Sequence, residues 1–368
     1  MSEPIPILQV VVSTKAGGGP QHVLTVALGL RARGWRSIVA GPADGPLFER
    51  FRAAGITTER ARTDRLGPRT VLRLVRLIRA HGIRLVHTHG KGAGFHGRLA
   101  ARLAGVPAIH TLHGIHHERY RAPVRAVYLA LERWLSRQTR VVINVSRAQE
   151  REGLALGLFS AGQSRVILNG VDVARLTASA RPRGEAREAL GLAAAPLVVG
   201  SVARFDEVKQ LDLLVHAIAK VPALTLALIG DGPEAPRLRA LAASLGVSAR
   251  VRFAGERPEA STLLAAFDVF ATSSRKEGLP LAVVEAMALG LPVVASDIAA
   301  HREVLGEGSM GLVPATPEAF AAALGALADD AERRTRLGAE NRTRARSEFD
   351  QRSMLQALDG VYREVLGV

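Results

Sequence analysis

The feature that most constrains this chain is an alternation, met twice, of short apolar runs with helix-length segments. Runs at 7–12, 37–40, 85–87, 108–112, 141–145 and 166–168 are separated by stretches such as 22–33, 69–80, 93–104 and 123–137. Short apolar runs of this kind fit strands buried in a parallel sheet, and the segments between them fit covering helices. The pattern pauses after Asn169-Gly170-Val171-Asp172, and 177–184 mixes Ser, Pro, Gly and Arg without a period, which reads as a linker. Alternation resumes with runs at 197–202, 225–229, 251–253, 269–271, 292–295 and 311–313, and 351–366 reads as a closing helix. The expectation is an α/β chain of two Rossmann-like domains facing across a cleft. They are placed at 1–175 and 185–348, with a closing segment, 349–368, that is free to pack back on the first. A length of 368 residues suits two domains.

Composition excludes several classes. There is no cysteine, so disulfides, thiolate nucleophiles and cysteine-ligated zinc drop out. No uninterrupted apolar run reaches the ~18–20 residues of a membrane span. The longest candidate, 279–295, contains Glu285 and two prolines. The start, Met1-Ser2-Glu3-Pro4, lacks the basic region and long apolar core of a secretory signal. The expected location is cytoplasmic, with attachment to the inner face of a membrane as an option. The option comes from charge. Residues 1–172 hold 26 Lys+Arg against 10 Asp+Glu, whereas 173–368 hold 23 against 24. The whole basic excess sits in the first half, which points to a polyanionic partner such as an anionic membrane surface or lipid carrier. Arg69, Arg73, Arg76 and Arg79 form one stripe of a helix, and Arg121, Arg125, Arg133 and Arg137 flank the apolar positions Val124, Val127, Tyr128, Leu131, Trp134 and Leu135 of another. The plainer alternative is that the apolar faces pack on the sheet and the arginines meet water. Nucleic acid is not expected as a partner, because aromatics are 4% and no nucleic-acid motif occurs.

Open α/β sheets bind ligands beyond the carboxyl ends of their strands. The candidate chemistry lies there. After the run 197–202 come Arg204 and Lys209, two cations five apart across a strand-to-helix loop, suited to a diphosphate that gains charge as its bond to a sugar breaks. Alone, they would equally be surface charges. After the run 269–271 comes Ser273-Ser274-Arg275-Lys276-Glu277-Gly278-Leu279-Pro280-Leu281-Ala282. Pro280 suits a helix start, Gly278 allows close approach, and the free N–H groups of Leu281 and Ala282 would face an anion. Glu285, among Ala, Val, Met and Leu, calls for a partner: a ribose diol or a structural ion pair. In the first half, Gly17-Gly18-Gly19 follows the first strand and precedes a helix, so it is either a loop for phosphate or sugar, or a tight turn.

Glu277 and Glu285, seven residues intervening, resemble the paired-glutamate motif of glycosyltransferase family 4. Arg204 and Lys209, Gly230-Asp231-Gly232-Pro233, Asn169-Gly170-Val171-Asp172 and Thr111-Leu112-His113-Gly114 match the same family in order and spacing, over nearly the whole chain. The resemblance implies the GT-B fold and transfer of a sugar from a nucleotide-diphosphate sugar, UDP by preference, to a glycan or lipid-linked acceptor. It implies retention of anomeric configuration and no metal or other cofactor. By similarity, Arg204 and Lys209 bind the donor diphosphate, Glu277 the donor sugar, Glu285 the ribose, and Leu281 and Ala282 the phosphate. Gly230 follows a strand in the donor half, the base rests near Arg257, and His113 meets the donor sugar near the reacting carbon. The departing phosphate oxygen takes the acceptor's proton. A nucleotide-sugar epimerase on a similar fold, and a non-catalytic basic membrane-binding module, stand as alternatives.

His87, His89, His96, His110, His113, His116 and His117 crowd the first half, with Glu118 as the carboxylate nearby. No helical two-histidine motif is present, and no metal site is expected. His87 and His89, two apart on a strand, should share a face.

Overall fold

The computed structural model describes residues 3–368 apart from Ala16, His116, Glu118 and Arg119. The chain divides into two units. One holds Met1–Asn169 with Ser353–Val368, the other Gly170–Arg352.

The first unit is a seven-stranded parallel sheet of β1 (Ile5–Val11), β2 (Trp35–Gly41), β3 (Thr57–Arg60), β4 (Leu85–His89), β5 (Ala108–Leu112), β6 (Val141–Asn144) and β7 (Ser164–Val166), in the order β3-β2-β1-β4-β5-β6-β7. The second carries six, β8 (Leu197–Val202), β9 (Leu224–Ile229), β10 (Val251–Gly255), β11 (Val269–Thr272), β12 (Val293–Ser296) and β13 (Leu312–Val313), in the order β10-β9-β8-β11-β12-β13. In each sheet the order reverses beside the first strand, between β1 and β4 and between β8 and β11. Loops that leave those neighbours diverge and open a crevice at the carboxyl ends.

The reading of two doubly wound α/β domains holds. β3 escapes it because Thr57-Thr58-Glu59-Arg60 is a polar edge strand with no apolar run. The expected linker at 177–184 does not exist as such. Helices Val173–Ser179 and Arg183–Leu190 take up both its ends and leave only 180–182 between them. Asp172 Oδ1 accepts from the Arg175 N–H at 2.9 Å and starts the first helix, and Pro182 stands at the N-cap of the second. Arg187 then docks its helix through Asp268 Oδ2 at 2.8 Å. The division instead falls at Asn169, where the chain crosses beside its own return. Val171 N–H donates to Phe349 O at 2.8 Å and Gln351 N–H to Val171 O at 3.0 Å. Gly170 is required there, since a Cβ would lie 2.7 Å from the Asp350–Gln351 backbone.

The closing helix Gln351–Leu366 packs Met354, Leu355, Leu358, Val361 and Tyr362 into the first unit's core with Ile7, Val26, Leu30, Trp35 and Ile109. Each such fully buried side chain contributes about 1.5–3 kcal/mol. A Cβ on Gly29 would meet Leu355 at 2.3 Å, so that glycine makes the seat. Trp35 Nε1–H donates to Asp359 Oδ1 at 2.7 Å.

The arginine helix Pro68–Ala80 turns Thr70, Val71, Leu74, Val75 and Ile78 inward and leaves Arg69, Arg73, Arg76 and Arg79 exposed. Helix Ala122–Ser136 buries Leu129, Glu132 and Leu135 but leaves Val124, Val127 and Trp134 exposed. Among the described residues no helix is long and apolar enough to cross a membrane.

Candidate functional site

In the second unit, β8 and β11 are paired, so the loops after them run side by side. The first carries Arg204 and Lys209, the second Glu277 and Gly278. Lys209 Nζ lies 2.6 Å from Glu277 Oε1. Ser273 Oγ–H donates to the carbonyls of Lys209 and Gln210 at 2.9 and 2.8 Å, and Arg275 N–H to Val208 O at 2.8 Å, which stitches the loops together. Gln210 takes a positive φ of 45° to turn into helix Leu211–Lys220. Arg204 reaches back to Asp206 Oδ2 and is exposed, so its guanidinium is available to a ligand.

Helix Leu281–Ala288 starts beside Glu277 without a capping side chain or an acid in its first turn. The N–H groups of Leu281 and Ala282 have no acceptor within the helix, as its geometry requires. Its positive end therefore favours an anion. Glu285, one turn in, is partly buried, and loss of solvent pushes its carboxyl up to about 7. Gly230, after β9, has φ 138°, and a Cβ would strike Ala203 O at 1.8 Å. It keeps the Arg204 loop tight against β9. Arg257 is exposed two residues past β10.

His301 belongs to this environment and escaped the sequence reading. It is fully buried, its Nδ1 lies 2.7 Å from Ser296 O, and among the described residues its Nε2 has no hydrogen-bond partner. Burial lowers its basicity against the opposing pull of Glu277. Its signal was faint: a lone histidine in Ala299-Ala300-His301-Arg302 looks like surface helix.

In the first unit, Gly18 opens helix Gly18–Gly29 with Gly17 as its cap. Asp44 pins the loop before it, accepting from Thr14 N–H at 2.8 Å and Ser13 Oγ–H at 2.9 Å. A Cβ on Gly19 would sit 3.9 Å from the His113 ring, so the glycine loop and His113 do come together. His22 meets the same ring edge-on, with centroids 5.1 Å apart. His87 and His89 share a face of β4 as expected, rings 4.1 Å apart, and His89 Nδ1 lies 3.1 Å from His113 Nε2. Burial keeps all four imidazoles poorly basic, His113 down to about 4 and His87 to about 3.

The ring nitrogens of His22, His89 and His113 lie within 4.8 Å of one another. Two of these nitrogens, His89 Nδ1 and His113 Nε2, are within hydrogen-bond distance at 3.1 Å. The cluster is organised as a hydrogen-bond network. His116 and Glu118 lie outside the described residues. His110 bonds Thr88 Oγ1 at 2.7 Å, His96 Nδ1 lies 2.8 Å from Gly92 O, and His117 Nε2 lies 3.3 Å from Glu152. The sequence reading also missed Gln9 and His22, which complete the cluster. Gln9 in the apolar strand Ile7-Leu8-Gln9-Val10-Val11 was the available signal, since a buried amide demands partners.

Comparison with known proteins identifies the family and the fold. Residues 16–175 match the model of Glycosyltransferase Family 4 and residues 182–344 that of Glycosyl transferases group 1. The chain is 31% identical over 288 residues to the putative glycosyltransferase EpsD of Bacillus subtilis, covering 74% of each chain. It is 32% identical over 241 residues to the Escherichia coli UDP-Gal:alpha-D-GlcNAc-diphosphoundecaprenol alpha-1,3-galactosyltransferase, covering 62% of each. The matched stretch spans between 56% and 74% of the length of these and a third curated relative. The crystal structure of Anabaena HepE in complex with UDP and glucose superposes with a TM-score of 0.87 at 26% identity, over 98% of this chain and 100% of that one.

Proposed function

Because the chain belongs to glycosyltransferase family 4, with the two Rossmann-like units of the GT-B class, we propose that it moves a sugar from a UDP-sugar to a glycan or lipid-linked acceptor. The setting is polysaccharide or glycolipid assembly, and the anomeric configuration is retained. The observation that carries this reading is the Lys209–Glu277 pair at 2.6 Å beside an uncapped helix N-terminus. It assembles fixed positive charge for a diphosphate next to a carboxylate for sugar hydroxyls.

In the proposed reaction Arg204, Lys209 and the N–H groups of Leu281 and Ala282 hold the diphosphate. Charge builds on the leaving phosphate as the glycosidic bond breaks, and preorganised cations stabilise it without a metal ion. Glu277 binds sugar hydroxyls, Glu285 the ribose, and Arg257 lies near the base. His113 meets the sugar, with Gly17, Gly18 and Gly19 on the acceptor side. The acceptor hydroxyl attacks from the face the phosphate leaves, and a phosphate oxygen takes its proton. UDP as carrier is supported by the UDP bound to HepE, and a lipid diphosphate acceptor by the Escherichia coli relative.

The test is calorimetric titration with UDP, GDP and ADP, repeated on Lys209→Ala. Selective UDP binding, weakened by the substitution, supports the donor site. Binding of none would revive a non-catalytic module. Product formation without acceptor would favour an epimerase, and a trapped sugar ester on Glu277 would overturn the single-face mechanism.

A second reading is attachment to the inner face of an anionic membrane. Val124, Val127 and Trp134 form an exposed apolar stripe with Arg121, Arg125 and Arg133 around it. Each cation at such a surface adds about 1 kcal/mol. Joint replacement of Arg69, Arg73, Arg76 and Arg79 should lower binding to phosphatidylserine vesicles, and unchanged salt-sensitive binding would remove that stripe from the case.

A further inference from the structure

A buried run of hydrogen bonds leads from the closing helix to His113, and each link dictates the next. Tyr362 is fully buried and has one proton to give. Gln9 Nε2–H donates to Tyr362 Oη at 3.1 Å, so the phenol proton goes to His87 Nδ1 at 2.6 Å. His87 therefore carries its own proton on Nε2 and donates it to Thr111 Oγ1 at 2.7 Å. In the other direction Gln9 Oε1 accepts from His89 Nε2–H at 2.8 Å. A neutral imidazole has one donor and one acceptor. His89 Nδ1 is consequently bare and accepts from His113 Nε2–H at 3.1 Å.

We propose that Tyr362, Gln9 and His89 are positioning residues that lock His113 as its Nε2–H tautomer and present Nδ1 as a lone pair to a hydroxyl of the donor sugar. The use made of that lone pair rests on the site assignment above; the lock itself does not. Burial serves the lock. Gln9, His87 and Tyr362 are each fully buried and His89 nearly so, so water cannot substitute for a missing link. The His22 ring, edge-on at 5.1 Å, and Gly19 hold the His113 plane in place from outside. Turning the Gln9 amide over would reverse every bond together and put the His113 proton on Nδ1. The two states are mutually exclusive and spectroscopically distinct.

The experiment is nitrogen-15 NMR of histidine-labelled full-length protein without substrate, with the His113 signals identified from His113→Asn. The expected wild-type result is a single His113 tautomer protonated at Nε2. Tyr362→Phe keeps the ring but frees the Gln9 amide, so His113 should populate both tautomers. With it kcat should fall roughly tenfold while the donor KM holds, the split expected when a transition-state contact is lost. Gln9→Glu accepts from both neighbours and should keep the Nε2–H tautomer, which preserves the test if the Tyr362 variant folds poorly. A wild-type His113 protonated at Nδ1, or mixed, overturns the lock, as does a Tyr362→Phe spectrum identical to wild type. Either result leaves UDP binding free to stand, and failure to bind UDP leaves the tautomer result intact.

Discussion

Lys209 Nζ and Glu277 Oε1 lie 2.6 Å apart although 68 positions separate them in the chain. Pairing of β8 with β11 produces the meeting. A charge-assisted contact to a ligand is worth ~1.5–3 kcal/mol, so Lys209→Ala and Glu277→Ala should each lower turnover at least about tenfold. Both variants should retain wild-type circular dichroism. Near-wild-type rates in both would remove these residues from the reaction.

Glu285 gives stability a distinctive pH slope. Its folded carboxyl holds its proton up to about 7, against the ordinary value of 4.5. Between those values the folded protein keeps a proton that the unfolded chain has released. Stability from this group is therefore full below the lower value and falls as pH rises through the window. Glu285→Gln should flatten that slope, read as urea midpoints at about pH 5 and about pH 7.5. A wild-type-to-variant gap that stays constant across the window would refute the buried carboxyl.

The buried histidines act with the opposite sign. His22, His87, His89, His110 and His113 are all less basic than the ordinary value of 6.5. As pH falls below that value the unfolded chain takes up protons that the folded protein refuses, so stability is lost on the acid side. These groups, with His96 and His301 shifted in the same direction, outweigh one glutamate. The thermal midpoint should drop between about pH 6.5 and about pH 4 with more than one proton taken up per unfolding event. A slope of one proton or fewer would mean the cluster is wetter than its packing implies.

Arg98 and Glu132 form a buried ion pair at 2.6 Å, with side chains 0% and 7% exposed, and Arg98 Nε–H also donates to Gly94 O at 2.8 Å. Removing one partner strands the other charge. Arg98→Leu should cost about 3–5 kcal/mol, whereas the double variant Arg98→Leu with Glu132→Leu should recover most of it. Denaturant titration of the three proteins measures the difference. Equal losses in single and double variants would show that packing around the guanidinium stem, not charge, sets the cost.

The alternation of apolar runs made both sheets legible, because a strand buried on two faces cannot disguise its composition. Its limits are physical too. Thr57–Arg60 pairs only at an edge and needs no apolar side chains. Helices at 173–179 and 183–190 hide behind Asp172 and Pro182, whose types serve helix starts as well as loops. In the site, spacing exposed Arg204, Lys209, Glu277 and Glu285, since a local motif carries each. Gln9, His22 and Tyr362 join His113 only through tertiary packing, and His301 comes within the electrostatic reach of Glu277 from a helix of seven residues. No spacing in the sequence announces those meetings.

The seat of Tyr362 against Trp35 and His87 also has a temporal meaning. A segment synthesised after the second unit completes the core of the unit synthesised before it. Chains emerge at about 5–20 residues per second, so that unit waits on the order of ten seconds or more while Gly170–Arg352 is made. Throughout the wait Ile7, Val26, Leu30 and Trp35 lack their cover, and a sticky apolar face is offered to chaperones. A nascent chain released before residue 362 would leave the ribosome with that face open, which makes the stretch that encodes the closing helix a quality gate for the first unit.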